Sequence, residues 1–488
     1  MRIGIESSKK KTSLLCGFVL ENSTTVLGLG KFDAKTSSII EQSVKDMGGK
    51  LGKLNIIPLS GKNSIQRILL AGLGKKENIT KDTIRSISGK IAQKARELKL
   101  KEFSIIVPPS FVENVISSVS QIVEGSKMGL YKFDNFKSEK SENSPDLTII
   151  VSKSNKITKA IKSAEIIANG AIFTKSLANL PPNECTPTIL ANFAKTISKN
   201  NKLTCKVISE PELKKRGFGG ISAVGQGSKN QPKLIVLEYN GSKNEKPIVL
   251  VGKAVTFDTG GISLKPSDKM DEMKFDKCGG CTVLGIMKAI SELKLSINVV
   301  GIVPSVENMP GGESYRPGDI IKLYSGKTAE ILNTDAEGRL ILADALSYGE
   351  KAYSPEAIID FATLTGACIV ALGTNVSGMV SNNEKLTKRI YDASSRTTEE
   401  VWELPLNQDY MDMIKSEIAD MKNVGIGKAA GTITAAAFLR NAIEDTPWVH
   451  LDIAGVAWTQ TGTKEKSYNP KGATGFGVRL VLDYLQNL

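Results

Sequence analysis

A chain of 488 residues with one histidine and six cysteines is short of the side chains that most hydrolytic and metal sites are built from. A Ser-His-Asp triad, an H-E-x-x-H zinc site and a His-rich metal centre all need histidine inside a motif, or more than one of it. The lone His450 lies in Trp448-Val-His-Leu-Asp-Ile-Ala-Gly, an apolar strand-like run that marks a packing histidine. Catalysis must then rest on carboxylates, lysine, arginine or bound metal. The cysteines (Cys16, Cys185, Cys205, Cys278, Cys281, Cys368) are too sparse for a disulfide scaffold and fit a reducing compartment. Only Cys278 and Cys281 form a C-x-x-C pair. No second pair is present to complete a zinc knuckle, so they read as two small helix residues. Long apolar runs are also missing: no stretch of ~18 uncharged apolar residues could cross a membrane, and Met1-Arg-Ile-Gly-Ile-Glu lacks the apolar core of a secretory signal. These absences predict a cytoplasmic protein with no membrane partner.

What is present is a globular composition, 41% hydrophobic and 24% charged. The length exceeds what one core supports, which predicts two domains. The net charge of +13 is uneven: residues 1–170 hold 28 Lys+Arg against 16 Asp+Glu, whereas the remainder is nearly neutral. A basic first domain makes DNA a candidate partner, as an architectural or regulatory factor. Against this, only four of those 28 are arginine, and Lys9-Lys10-Lys11 is the one tight run.

Strand-like runs at Arg67–Gly74, Phe103–Val107 and Leu147–Val151 alternate with helical stretches such as 83–98, which predicts an N-terminal α/β domain over 1–156. A polar segment, Lys137–Pro145, reads as a surface loop within it. Residues 157–178 read as a connecting helix ended by Pro181-Pro182. Residues 179–488 contain continuous apolar runs at 234–237, 248–251, 297–303 and 357–362 with helices between them. This predicts a largely parallel sheet between helix layers, with its site at the carboxyl ends of the strands.

The chemistry concentrates between Lys253 and Arg339. Lys253 and Asp258 leave an apolar strand, Gly260-Gly261 allows close backbone approach, and Lys265 follows. An acid-rich loop carries Asp276. In Asn333-Thr-Asp-Ala-Glu-Gly-Arg-Leu, Asp335, Glu337 and Arg339 alternate, so an extended chain would point all three one way. Four carboxylates without histidine suit hard divalent cations, Mg²⁺ or Mn²⁺, and Zn²⁺ also accepts oxygen. Two ions sharing carboxylates would make a hydrolase, acting on a peptide or a phosphate ester.

At these residues the chain resembles the leucyl aminopeptidase, or cytosol aminopeptidase, family. Asn333–Leu340 matches the family's signature octapeptide, and Val251–Ser267 matches its other metal-site segment. Similarity extends through Ser176–Asn183, Asn308–Asp319, Ala362–Ala367 and Gly472–Leu480. The resemblance implies a hydrolase that removes leucine-like residues from peptides with a free amino terminus, in intracellular peptide turnover, and assembles as a homohexamer. It implies two divalent ions per subunit, manganese foremost, with zinc or magnesium as alternatives. Asp258 and Glu337 would bridge the ions, Asp335 would complete one site, and Lys253 with Asp276 the other. For this Lys253 must be neutral, with its pKa lowered by the ions. Lys265 would stabilise the oxyanion and Arg339 would hold a bicarbonate, while Met273, Thr363, Gly366 and Ala454 would line the side-chain pocket. Two residues depart from the pattern. Lys277 stands where an apolar residue is expected and is expected to loosen metal binding or point outward. Cys281 replaces alanine and raises a question of oxidation.

Overall fold

The computed structural model describes residues 1–8, 11–30, 32–59, 64–107, 115–139, 144–201, 203–243, 245–425, 427, 429–463 and 465–488, with Asn200 and Asn201 by backbone alone. Lys9 and Lys10 of the basic run, and part of the Lys137–Pro145 loop, lie outside them. The chain divides into two compact units, Met1–Ile172 with Thr459–Gly472, and Phe173–Trp458 with Ala473–Leu488.

The first unit is a six-stranded sheet flanked by helices. Its strands are β1 (Ile3–Glu6), β2 (Leu15–Leu20), β3 (Leu54–Pro58), β4 (Arg67–Gly74), β5 (Glu102–Ile106) and β6 (Asp146–Ile150), ordered β1-β6-β5-β2-β4-β3. All neighbours are parallel except β3 and β4. Side chains on β2 alternate between two cores: Cys16 and Phe18 join one cluster, Leu15 and Val19 the other. A sheet covered on both faces needs apolar residues at successive positions, which is why these strands read as continuous runs. The helices are α1 (Ala34–Met47), α2 (Lys81–Glu97) and α3 (Val115–Gly129). The start of α2 is fixed by a reciprocal cap between Thr80 and Thr83. Helix α4 (Asn155–Asn179) carries the chain out of this unit, and the division between units falls within it. The segment 459–472, which the sequence reading placed with residues 179–488, belongs to the first unit.

In chain order the second unit contains α5 (Pro187–Asn201), β7 (Thr204–Ile208), α6 (Glu210–Lys215), α7 (Gly219–Gly225), β8 (Lys233–Asn240), β9 (Ile248–Gly252) and β10 (Ala254–Asp258). Then come α8 (Cys278–Leu293), β11 (Asn298–Asn308), β12 (Ile320–Lys322), β13 (Thr328–Glu330), α9 (Gly338–Tyr353) and β14 (Ala357–Ala362). The chain continues through α10 (Gly366–Leu372), β15 (Ser377–Ser381), α11 (Glu384–Thr397), β16 (Val401–Glu403), α12 (Gln408–Asp412) and β17 (Met421–Lys422). It ends with α13 (Gly431–Arg440), β18 (Trp448–Asp452) and α14 (Val478–Gln486). The main sheet runs β16-β15-β18-β14-β9-β11-β8-β7, with β10 added beside β11. Its centre, β18-β14-β9-β11-β10, is parallel. Antiparallel pairings at β15/β18, β11/β8 and β8/β7 lie outside it. Helices α7, α9 and α13 cover one face with a core that includes Val249, Val251, Ile302, Leu340 and Phe438, and α8 packs on the other. The parallel centre therefore ends at one edge, where the sequence reading places the chemistry.

Candidate active site

Five parallel strands deliver polar groups to that edge. Lys253 follows β9, Asp258 ends β10, Asn308 ends β11, Thr363 follows β14 and Asp452 ends β18. Asp276 comes from a 3-10 turn, Met270–Lys277, that leads into α8. Asp335 lies in the turn before α9, Glu337 is the residue before its first turn, with helical φ −76° and ψ −36°, and Arg339 is inside it. The alternation Asp335/Glu337/Arg339 therefore straddles a turn-to-helix junction and not an extended chain, because the signature's Gly338 starts a helix. A Cβ on Gly338 would stand 2.7 Å from the Lys253 ammonium, so only glycine leaves the lysine its place.

Two lysines cross-link four carboxylates here. Lys253 Nζ donates to Asp276 Oδ1 at 2.9 Å, Glu337 Oε1 at 2.8 Å and the Thr363 carbonyl at 3.0 Å, using all three of its protons. Lys265 Nζ lies 2.9 Å from Asp258 Oδ2 and also pairs with Asp335 Oδ1. One oxygen from each of Asp258, Asp335 and Glu337 falls within 4.8 Å of the others, and among the described residues these three form the acidic group able to hold an ion. Asp276 is not in that group and joins the cluster through Lys253. Asp276 Oδ2 and Glu337 Oε2 are buried with no hydrogen-bond partner among the described residues.

Burial is the main force on the Asp276 and Asp335 carboxyls. It pushes Asp276 up to about 8, against Lys253 and with help from Glu337 and Asp258. Asp335 rises to about 7, through burial and then Glu337 and Asp258, against Lys265. Burial opposes the charge on Lys253, but Asp276, Glu337 and Asp258 outweigh it and hold the ammonium above its ordinary range. Without metal, then, Lys253 is a cation, the reverse of the neutral amine that ligation requires. Lys265 is raised in the same way, burial being outweighed by Asp258, Glu337 and Asp335.

The supporting groups were not legible in the sequence. Asn308 Nδ2 donates to Asp258 Oδ1 at 2.8 Å and to the Thr334 carbonyl at 3.1 Å. Tyr315 donates to that same carbonyl at 2.6 Å. Thr334 Oγ1 donates to the Gly260 carbonyl at 2.6 Å and accepts from Ser263 N at 2.8 Å. The turn it clasps has φ of +87° at Gly260 and +68° at Gly261, which explains the glycine pair. Asn423 fastens the other side, donating to the Asn333 carbonyl at 2.6 Å and accepting Leu332 N at 2.8 Å. Its own carbonyl accepts Arg339 at 2.7 Å. Burial lowers Arg339 to about 10 despite Glu337 and Asp452, and its Nε has no partner among the described residues.

Thr363, expected to line a pocket, is buried and donates to Asp276 Oδ1 at 2.6 Å. Met273 shares the 3-10 turn of Asp276 and is half-buried. Gly366 opens α10 with no atom within 4 Å of where a Cβ would stand. Ala454 is buried just past β18, its N–H bonded to Asp452. Lys277 neither points outward nor meets the acidic cluster: it is fully buried, its ammonium donating to the carbonyls of Leu180, at 2.9 Å, and Lys274. Cys281 is buried in the first turn of α8, and burial lifts its thiol well above the ordinary range, which keeps it protonated and resistant to oxidation. His450 is a buried strand residue, as its sequence context suggested.

Comparison with known proteins identifies the family. Residues 172–482 match the model of the cytosol aminopeptidase family's catalytic domain, and residues 18–140 match that of its N-terminal domain. A probable cytosol aminopeptidase of Cenarchaeum symbiosum is 61% identical over 482 residues, covering 99% of this chain and 98% of the relative. The cytosol aminopeptidase of Pseudomonas aeruginosa PAO1 is 42% identical over 486 residues, with 96% and 97% covered. Among solved structures, the bottromycin maturation enzyme BotP in complex with Mn has a TM-score of 0.86 at 28% identity, covering 97% of this chain and 99% of that one. None of these similarities supports the DNA-binding alternative.

Proposed function

Because the chain belongs to the cytosol aminopeptidase family and is a peptidase, we propose that it removes leucine-like residues from the free amino ends of peptides with the help of two divalent ions. The observation that carries the metal-site reading is the pair of buried, partnerless carboxylate oxygens on Asp276 and Glu337, in a cluster of four acids with no histidine. Such oxygens are costly to bury unless a cation meets them. The donor set is hard and oxygen-rich, which fits Mn²⁺ first and also Mg²⁺ or Zn²⁺. The manganese complex of the structurally similar BotP supports that order.

Lys253, Asp258, Asp276, Asp335 and Glu337 would hold the ions, which would supply Lewis-acid activation of water and of the scissile carbonyl. Loading requires Asp276 and Asp335 to ionise and Lys253 to release a proton. Lys265 then exchanges its carboxylate partners for the oxygen of the scissile carbonyl and stabilises the charge that develops there. Its side chain is 21% exposed, against 4% for Lys253, so it is the ammonium that a substrate can reach. Arg339 keeps its proton and cannot act as a base, but its partnerless Nε fits a bound bicarbonate able to accept one. Thr363 fixes the Asp276 carboxylate, and Met273, Gly366 and Ala454 would form the apolar pocket with it. The family's pattern further suggests a cytoplasmic homohexamer engaged in peptide turnover. The test is hydrolysis of leucine anilide after chelation and after adding back Mn²⁺, Zn²⁺ or Mg²⁺. Activity should vanish and return best with Mn²⁺, and an acetylated amino end should block cleavage. Activity in a verified metal-free sample would refute the reading.

A further inference from the structure

Lys265 closes an irregular loop, residues 259–265, that has little packing to hold it. Ile262 and Leu264 within the loop are 45% and 60% exposed, so apolar burial does not fix its position. Pro266 only biases Lys265 toward an extended backbone. Polar contacts hold the loop instead. Thr259 is moored to the end of β11, its N–H and hydroxyl donating to the Asn308 carbonyl at 3.0 and 2.9 Å. The Thr259 carbonyl accepts Lys265 N at 2.9 Å, which closes the loop at its base. The tip is held from the signature segment. Thr334 Oγ1 donates to the Gly260 carbonyl at 2.6 Å and accepts Ser263 N at 2.8 Å, so one hydroxyl joins residues 260 and 263. Ser263 Oγ accepts Thr334 N at 3.1 Å in return. Among the described residues, only the ion pair of Lys265 with Asp335 joins the loop to this segment besides these bonds.

Thr334 is fully buried and adjoins Asp335, so a single residue touches both the lysine loop and the acidic cluster. Its backbone and side chain divide the work. The carbonyl accepts Asn308 Nδ2 and the Tyr315 hydroxyl, bonds that survive any substitution of the side chain. The hydroxyl bonds only to the loop. Deleting it strips the buried Gly260 carbonyl of its donor, and a buried group without a partner is costly, so the turn must shift to find another. We infer that Thr334 is a positioning residue for Lys265: its hydroxyl sets the loop where the ammonium meets Asp258 and Asp335, and therefore where it meets the scissile carbonyl. This rests on the proposed oxyanion role of Lys265. Four methylenes let the ammonium follow a shifted backbone only in part, and a misplacement of about 1 Å costs about 10² in rate.

Thr334→Val keeps the shape of the side chain and deletes the hydroxyl, whereas Thr334→Ser keeps the hydroxyl. In Thr334→Val, kcat on leucine anilide should fall about 10- to 100-fold. KM, and Mn²⁺ affinity read by competition with a chelator, should stay within about threefold of the parent, and Thr334→Ser should restore kcat to the same margin. In a Lys265→Ala background Thr334→Val should cost nothing further, since both changes act through one ammonium. Hydrogen exchange gives a reading that needs no substrate: in metal-free protein the segment 259–265, with the Ser263 and Lys265 amides, should exchange faster in Thr334→Val than in the parent or Thr334→Ser. Should Thr334→Val fail to fold, Ser263→Ala removes the return bond, and kcat should fall about 3- to 10-fold, the net worth of one hydrogen bond. Parent kcat in the folded variant overturns the inference, as do kcat and metal affinity falling together, losses that multiply with Lys265→Ala, or unchanged exchange of the segment. If the parent cleaves no peptide, the aminopeptidase reading fails, and the exchange comparison still decides whether Thr334 holds the loop.

Discussion

Stripping the ions from this protein should turn neutral pH from a stabilising condition into a destabilising one. The carboxyls of Asp276, Asp335 and Asp344 are raised from 3.8 to about 8, 7 and 7, burial being the first cause in each. Between pH 4 and those values the folded chain binds more protons than the unfolded one, so stability falls as pH rises. From pH 5 to 7 each group alone would cost up to about 2.7 kcal/mol, at about 1.4 kcal/mol per unit. Asp335 is a third exposed, which weakens its share. It also has Glu337 and Asp258 as neighbours in common with Asp276, so the two do not add in full. A net loss of about 3 to 6 kcal/mol remains. The raised Lys253 and Lys265 do not offset it, since their contribution is constant below about pH 10. All three tryptophans, Trp402, Trp448 and Trp458, lie in the second unit, so their fluorescence reports thermal unfolding of that unit alone. The melting temperature of chelated protein should drop steadily from pH 5 to 8. Mn²⁺ should flatten most of the slope, because ligation keeps the acids ionised in the folded state. Asp344→Asn should remove its share from both curves. A metal-free melting temperature that stays level or climbs over this range would refute the reasoning.

Lys265→Ala should lower kcat by about 10² to 10³ with a smaller change in KM, because the contact strengthens as charge develops; raised KM at unchanged kcat would reassign Lys265 to substrate binding. Asp258→Ala and Glu337→Ala should lose bound metal, measured by elemental analysis, together with activity, and full occupancy in either would remove it from the bridging role. Thr363→Val preserves size but deletes the hydroxyl that holds Asp276. Metal affinity, read by competition with a fluorescent chelator, should fall about 10- to 100-fold, and an unchanged affinity would leave Thr363 with a pocket role only.

Much of the fold was legible because the relevant signals are local. Continuous apolar runs marked β4, β9, β11 and β14 to within a residue or two at their starts, since strands covered on both faces have no polar alternation to blur them. Chemistry at one edge of the sheet followed from the parallel centre. That the segment 459–472 is grouped with the first compact unit was not legible, because which core a loop joins is decided by long-range contacts that no short window contains. Lys277 was misjudged for a related reason. A lysine beside a ligand suggested charge repulsion, yet two backbone carbonyls far apart in sequence satisfy it.

The site shows where sequence reading runs out. The acids between 258 and 337 stand out because buried charge beside glycine is expensive without a ligand. Their pairing is invisible in sequence: Lys253 could serve any of them, and only folding brings it to Asp276 and Glu337, 23 and 84 positions away. Asn308, Thr334 and Asn423 leave less trace still. They are neutral and common in loops, and their work is done through backbone groups that every residue carries. His450 illustrates the same limit from the other side. An apolar strand suggested inert packing, and the residue is indeed fully buried. Its ring nevertheless meets Asp360 at 2.6 Å, a partner that the apolar run around it gave no sign of. Asp360 lies 90 residues earlier and one strand across.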